Sequence, residues 1–116
     1  MALLGNRQFA RGSVGNLGTG ETTVYTQPAL RYGRVDSVVA YNPSGGALIL
    51  TLHIVPVGGA AGSTNEVCQE SIASHARLNV TAGQVLAPGD IISGKGDSAG
   101  LNVWVGVEIV DPPGSS

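Results

Sequence analysis

From residue 21 onward, apolar and polar positions alternate with a period of two in short runs. "ALILTLHIV", residues 47–55, puts Leu48, Leu50, Leu52 and Ile54 on one face of an extended strand and Ala47, Ile49, Thr51 and His53 on the other. "LNVWVGVEIV", residues 101–110, repeats the arrangement: Leu101, Val103, Val105, Val107 and Ile109 share one face, with Asn102, Trp104, Gly106 and Glu108 opposite. "TTVYT" and "RVDSVVAYN" (34–42) are rich in the β-branched and aromatic residues that suit a pleated surface, and "NEVCQESI", "ARLNVT" and "IISGKG" read as further strands. Turn formers stand between them. Asn42-Pro43-Ser44-Gly45-Gly46 predicts that strands 34–42 and 47–55 fold back on each other, "PVGGAAGST" predicts a flexible loop, and "AGQVLAPGD" a turn leading into "IISGKG". "DPPGSS" ends the last strand, because consecutive prolines cannot continue a ladder.

Seven or eight short strands, Gly and Pro turns and no helical period longer than about one turn predict an all-β chain, a single antiparallel β-sandwich of the jelly-roll type. No internal repeat suggests a solenoid or propeller. "MALLGNRQFARGSVGNLGTG" shows neither period and holds five glycines, so residues 1–20 are expected to form an extended, irregular N-terminal arm and residues 21–116 the β-sandwich domain. The arm's apolar residues, Leu3, Leu4, Phe9, Val14 and Leu17, are too few to offset the entropy of ordering it, and Arg7 and Arg11 lie among them. It is therefore expected to order against a sheet edge of a neighbouring chain, and its removal to leave the β domain intact.

Composition changes the picture in one respect. Of 116 residues only 12% are charged, about half the usual share, while 42% are hydrophobic and the net charge is -2. Such a chain is not disordered in composition, and its sparse charge points to a surface partly covered by other subunits, a homo-oligomer of two or three chains. Six basic residues scattered among eight acidic ones form no basic stripe, which argues against nucleic acid as a partner. No run approaches a membrane span of ~20 apolar residues, and "MALLGNRQFARG" has too short an apolar run for a signal peptide, so neither a membrane partner nor secretion is expected. Cys68 is the single cysteine, which suits a reducing cytoplasm as the place of synthesis.

Candidate chemistry is thin. His53, His75 and Cys68 lie in three different segments without ligand spacing, so no metal, cofactor or catalytic residue is assigned. "GNLGTG" (15–20) looks superficially like a phosphate-cradling loop but leads into a strand, not the helix N-terminus that phosphate binding needs. Asp90, Asp97 and Glu108 read as turn caps or solvated ends. Trp104 and Tyr41, on or near strand faces, suit packing or an interface better than base stacking.

"TGETTVYTQPALRYGRVDSVVAYNPSGGALILTLHIVP" and, further on, "VLAPGDIISGKGDSAGLNVWVGVEI" resemble the small β-sandwich virion proteins of tailed bacteriophages, over about residues 20 to 109. The shared features are a pattern of strands and turns, not an active-site motif, and the glycine-rich arm lies outside it. The resemblance implies a capsid decoration, or cement, protein at the capsid surface of a virion, with the major capsid protein as partner and no enzymatic activity. Interface positions expected on this reading are Leu3, Leu4, Arg7, Phe9, Arg11 and Trp104. The alternatives are a neck, tail or head-fibre component; a carbohydrate- or receptor-binding sandwich with Trp104 and Tyr41 at a shallow site; and a small cupin-like enzyme using His53 and His75.

Overall fold

The computed structural model describes residues 8–80 and 83–110. Nine strands follow in order: β1 (Gln8–Leu17), β2 (Thr22–Thr26), β3 (Tyr32–Tyr41), β4 (Leu48–Val55), β5 (Glu66–Ile72), β6 (Arg77–Val80), β7 (Val85–Leu86), β8 (Ile91–Gly96) and β9 (Leu101–Val110), and there is no helix among the described residues. They form two antiparallel sheets. The front sheet runs β1-β9-β3-β6, with β7 also on β3, and the back sheet runs β2-β8-β4-β5. The pairs are nested: β1 with β9, β2 with β8, β3 with β6 and β7, and β4 with β5. The chain is thus one long hairpin rolled so that successive pairs fall in alternate sheets, which is the jelly-roll topology.

Alternation along the strands fills the space between the sheets. Leu101, Val103, Val105 and Val107 of β9, Val35, Val38 and Ala40 of β3, and Leu48, Leu50 and Leu52 of β4 are all buried there, as a period of two predicts except where β3 shifts register between Val35 and Ser37 and so turns both Val35 and Val38 inward. Fully burying each large side chain contributes about 1.5 to 3 kcal/mol. The outer side of β4 is less open than its polar residues suggest. Thr51 is buried and accepts a hydrogen bond from Gln69 Nε2 at 3.4 Å, its neighbour across the β4–β5 pair.

Three expectations need correction. Residues 8–17 are not an irregular arm. They form β1, antiparallel to β9 from Gln8 opposite Ile109 to Leu17 opposite Leu101, and Leu17 is fully buried in the core. The glycines hid the alternation, because Gly12 occupies an inward position between Ala10 and Val14 and gives no apolar signal. A Cβ on Gly12 would sit 2.2 Å from the carbonyl oxygen of Val24, so only glycine lets β1 cross β2 this closely. The edge that β1 covers therefore belongs to its own chain. Residues 1–7 lie outside the described residues.

The second correction concerns strands 34–42 and 47–55. They do not pair with each other: β3 lies in the front sheet and β4 in the back, so Asn42–Gly46 is a crossover between sheets. The buried Asn42 holds it. Its Nδ2 donates to the carbonyls of Gly46 and Ile72, both at 2.8 Å, and its Oδ1 accepts from the backbone N–H and hydroxyl of Ser44. An amide side chain that satisfies both strands' ends favours a corner over a two-strand hairpin. The third is small: Val85–Leu86, expected as part of a turn, pairs with Gly33 and Arg34 as β7, and Leu86 is fully buried.

Candidate assembly surface on the front sheet

Strand register assembles the outer side of the front sheet row by row. Phe9, Glu108 and Arg34 lie side by side across β1, β9 and β3; Arg11, Gly106 and Ser37 form the next row. Ser13, Trp104, Val39 and Asn79 form a third that reaches β6, and Asn102, Tyr41 and Arg77 a fourth. Below the first row, Tyr32 of β3 sits opposite Val110 of β9. Large apolar groups point outward here: Phe9 is 54% exposed, Trp104 48%, Val110 40% and Tyr32 37%.

The surface is dimpled rather than flat. Gly106 leaves a gap in the middle of β9, where an added Cβ would come within 3.0 Å of Ser37 Oγ. Beside it a depression of about 360 Å³ is lined by Arg11, Gly12, Ser13, Trp104 and Val105. Two basic groups are held in place. Arg34 Nη2 donates to Glu108 Oε1 at 2.7 Å, and Arg31 Nη2, in the loop before β3, donates to Gln8 Oε1 at 3.2 Å. With Arg34 more than half exposed, that ion pair contributes about 1 kcal/mol at most. Exposed Trp, Tyr and Phe interleaved with arginine are the side chains that dominate protein interfaces.

Of the interface positions expected from sequence, Phe9, Arg11 and Trp104 come together on this surface, while Leu3, Leu4 and Arg7 lie outside the described residues. Trp104 and Tyr41 share it too, diagonally across β9 and β3. Sequence reading missed Tyr32, Arg34, Val39 and Arg77. Strict alternation would set Tyr32 and Arg34 on the side opposite Val39, and only the register of β3 and β6 against β9, with its shift between Val35 and Ser37, puts all four on the face of Trp104.

The other candidate residues are dispersed. His53, on the outer side of the back sheet, is buried, and its Nδ1 lies 2.9 Å from Glu21 Oε2, the same oxygen that accepts the hydroxyl of Ser93 at 2.6 Å. Since Ser93 spends its proton on Glu21, it is not aligned as a nucleophile against His53. His75 is exposed in the turn after β5, beside Ser74 Oγ at 2.9 Å, and that turn follows Ile72, which pairs with Leu48, five strand residues or about 17 Å from His53. The structure does not bring the two histidines together. Cys68 is half-buried in β5; burial first, and then the carboxylates of Glu70 and Glu66, push its thiol up from the ordinary value. Burial also raises Tyr25, whose hydroxyl donates to the buried Gln27 at 2.9 Å. Among the described residues no three His, Cys, Asp or Glu side chains cluster as metal ligands.

No protein-family description matches the chain, and no curated protein matches it. Solved structures do. A chain of the acid-stable capsid structure of the Helicobacter pylori bacteriophage KHP30 is similar over 91% of this chain and 89% of its own, with a TM-score of 0.62 and 8% identity. A chain of the infectious bursal disease virus Gx strain is similar over 94% of this chain and 34% of its own, with a TM-score of 0.45 and 13% identity. At such identity the first likeness is one of fold. The chain has the β-sandwich fold found in a viral capsid, and the near-equal coverage means that the capsid chain is close to this one in length.

Proposed function

We propose that the protein is a structural component of a bacteriophage virion, a decoration or cement protein that binds the major-capsid lattice at the capsid surface, working by binding and not by catalysis. The observation that carries this reading is the front-sheet surface: a charge-poor chain displays Trp104, Phe9 and Tyr32 to solvent among arginines, a composition that costs solubility unless a partner covers it. The fold agrees with it, since a chain of similar length in a phage capsid structure has the same architecture. Apolar area and hydrogen bonds made at subunit junctions would hold the shell against the pressure of packaged DNA.

Quantitative mass spectrometry of purified virions tests the proposal. A decoration protein is expected at hundreds of copies per particle, on the order of the capsid subunits; a few copies would instead make it a neck, tail or fibre component, and absence from virions would refute the reading. One observation favours a second reading, a shallow glycan or receptor site: Arg11, Ser13 and Trp104 line one depression. Saturable binding on a glycan array, lost on Trp104→Ala, would support that alternative.

A further inference from the structure

β5 and β6 end their sheets on the same flank of the sandwich, with a cleft of about 330 Å³ between them. Among the described residues β5 pairs only with β4 and β6 only with β3, so each keeps an edge of unpaired N–H and C=O groups turned away from its neighbour. Val35, Leu52, Ile54 and Ile92 form an apolar base beneath the cleft. Glu70, opposite Leu50, faces into it, and its carboxylate has no ion pair or hydrogen bond among the described residues. We infer that residues 1–7 of a second copy of this chain enter the cleft as a strand added to the edge of β6, with Leu3 on the apolar base and Arg7 against Glu70.

Spacing and charge carry the argument. Leu50, Leu52 and Ile54 take successive inward positions on β4, so Glu70, level with Leu50, stands about 14 Å along the cleft from the base at Ile54. Leu3, Gly5 and Arg7 share one side of an extended strand, and Leu3 lies the same distance, about 14 Å, from Arg7. That placement runs the added strand antiparallel to β6, whose Arg77 lies at the end of the cleft near Glu70 and whose Val80 lies towards the base. Strand addition joins backbone bonds to side-chain recognition, and Arg7 gives the inward carboxylate the partner its own chain does not supply. The segment cannot serve its own cleft. Gln8 is level with Gly33, three strand spacings across the front sheet and about 21 Å from Val80, while the chain from Leu3 to Gln8 spans about 17 Å at most. The giving and receiving edges lie on opposite flanks, so the contact is head-to-tail and closes into a ring or continues as a filament. The front sheet stays free for the capsid lattice, and the test uses purified full-length protein without virions, so its failure is distinct from failure of the virion assignment.

A charge-reversal cycle tests it by sedimentation. The wild-type chain should self-associate at about 100 μM in about 0.05 M salt, and Arg7→Glu or Glu70→Arg alone should weaken this at least about tenfold. The chain carrying both changes should regain association to within about threefold of the wild type, because the pair is restored with its signs exchanged. Recovery also shows that both substitutions leave the chain folded. Cys68 gives a second readout, since it lines the same cleft and is the single cysteine. Its modification by a thiol reagent should slow about threefold as the wild-type chain is raised from about 1 to about 100 μM, and should not change with concentration for Leu3→Ser. A monomeric wild-type chain, a doubly changed chain as weak as either single variant, or a Cys68 rate indifferent to concentration would each overturn the inference.

Discussion

Where β1 passes over β2 the sandwich is shut, whereas where β5 faces β6 it stands open, and the residues at inward positions of the edge strands account for the contrast. On the shut flank β1 presents Ala10, Gly12 and Val14 to the interior, small enough for the backbones to meet, and Leu17 seals the end. The corner is tied by three bonds: Gly96 N–H to the Gly18 carbonyl at 2.9 Å, Gly100 N–H to the Leu17 carbonyl at 3.0 Å, and Asn16 N–H to Asn102 Oδ1 at 2.9 Å. On the open flank β5 presents Cys68 opposite Leu52 and Glu70 opposite Leu50. A carboxylate at an inward position cannot be enclosed between two apolar sheets without a partner, so the edges stay apart. The space between them, about 330 Å³, is lined by Val67, Cys68, Gln69, Glu70, Asn79, Val80 and Gln84.

The sharpest way to break the comparison is to remove the shut flank. A chain starting at Gly20 loses Leu17 from the core and bares the whole β9 edge, so it should show no cooperative melt by circular dichroism. A β-type spectrum with a sharp transition would mean that β1 is dispensable after all. Next in size is Gly12→Val, which must push β1 off Val24 and should cost about 3 kcal/mol or more in denaturant unfolding. Gly15→Ala, where an added Cβ meets Asn102 Oδ1 at an ordinary 3.6 Å, should change stability by less than about 1 kcal/mol. Equal effects would show that closeness to β2 is not what selects glycine. Of comparable size is the contrast between Leu50→Ala and Val67→Ala. Leu50 is fully buried and should cost about 2 to 5 kcal/mol, while Val67, 40% exposed on the open flank, should cost below about 1 kcal/mol.

These positions also mark how far the sequence was legible. The strands 47–55, 91–96 and 101–110 were plain because Leu48 to Ile54 and Leu101 to Ile109 alternate without interruption, and alternation is all that a half-buried strand needs. β1 was not, because its inward Gly12 answers to a backbone contact with Val24, a residue whose proximity no local pattern reports. The Asn42–Gly46 segment carried a correct turn signal but not its destination; whether two consecutive strands pair or part depends on Asn42 reaching Ile72, thirty residues away. The surface was legible in Trp104, which breaks the polar side of its strand, while Phe9 and Arg11 stood out only as anchors of the expected arm. Its extent was not, since Tyr32, Val39 and Arg77 join it only through register.

Alkaline pH sharpens the energetic side. Cys68 and Tyr25 are both raised, so the folded chain keeps their protons after the unfolded chain has begun to lose them. The stability they contribute is fully present below the unfolded values of about 8.5 and 10 and is lost as pH rises through the raised ones. The melting temperature should therefore fall as the pH is raised above about 9, where these two protons begin to matter; a melting temperature constant to pH 11 would contradict the two shifts.

The smallest expected effect is the most local. Burial dominates the raised Cys68 thiol, and Glu70 then opposes its ionisation across the open flank, ahead of Glu66. The thiolate is the reactive form, so Cys68 should react with a thiol reagent at pH 8 more slowly than free cysteine does. Removing the like charge by Glu70→Gln should lift the rate by roughly two- to threefold without changing the melting temperature by more than a degree or two, because Glu70 is exposed and screened. Glu66→Gln should do less. If Glu70→Leu raised the rate no further but slowed it, the apolar side chain would have drawn the edges together over Cys68, which is what the account of the open flank requires; if Glu70→Leu left the thiol as accessible as Glu70→Gln does, something other than the carboxylate holds the two edges apart.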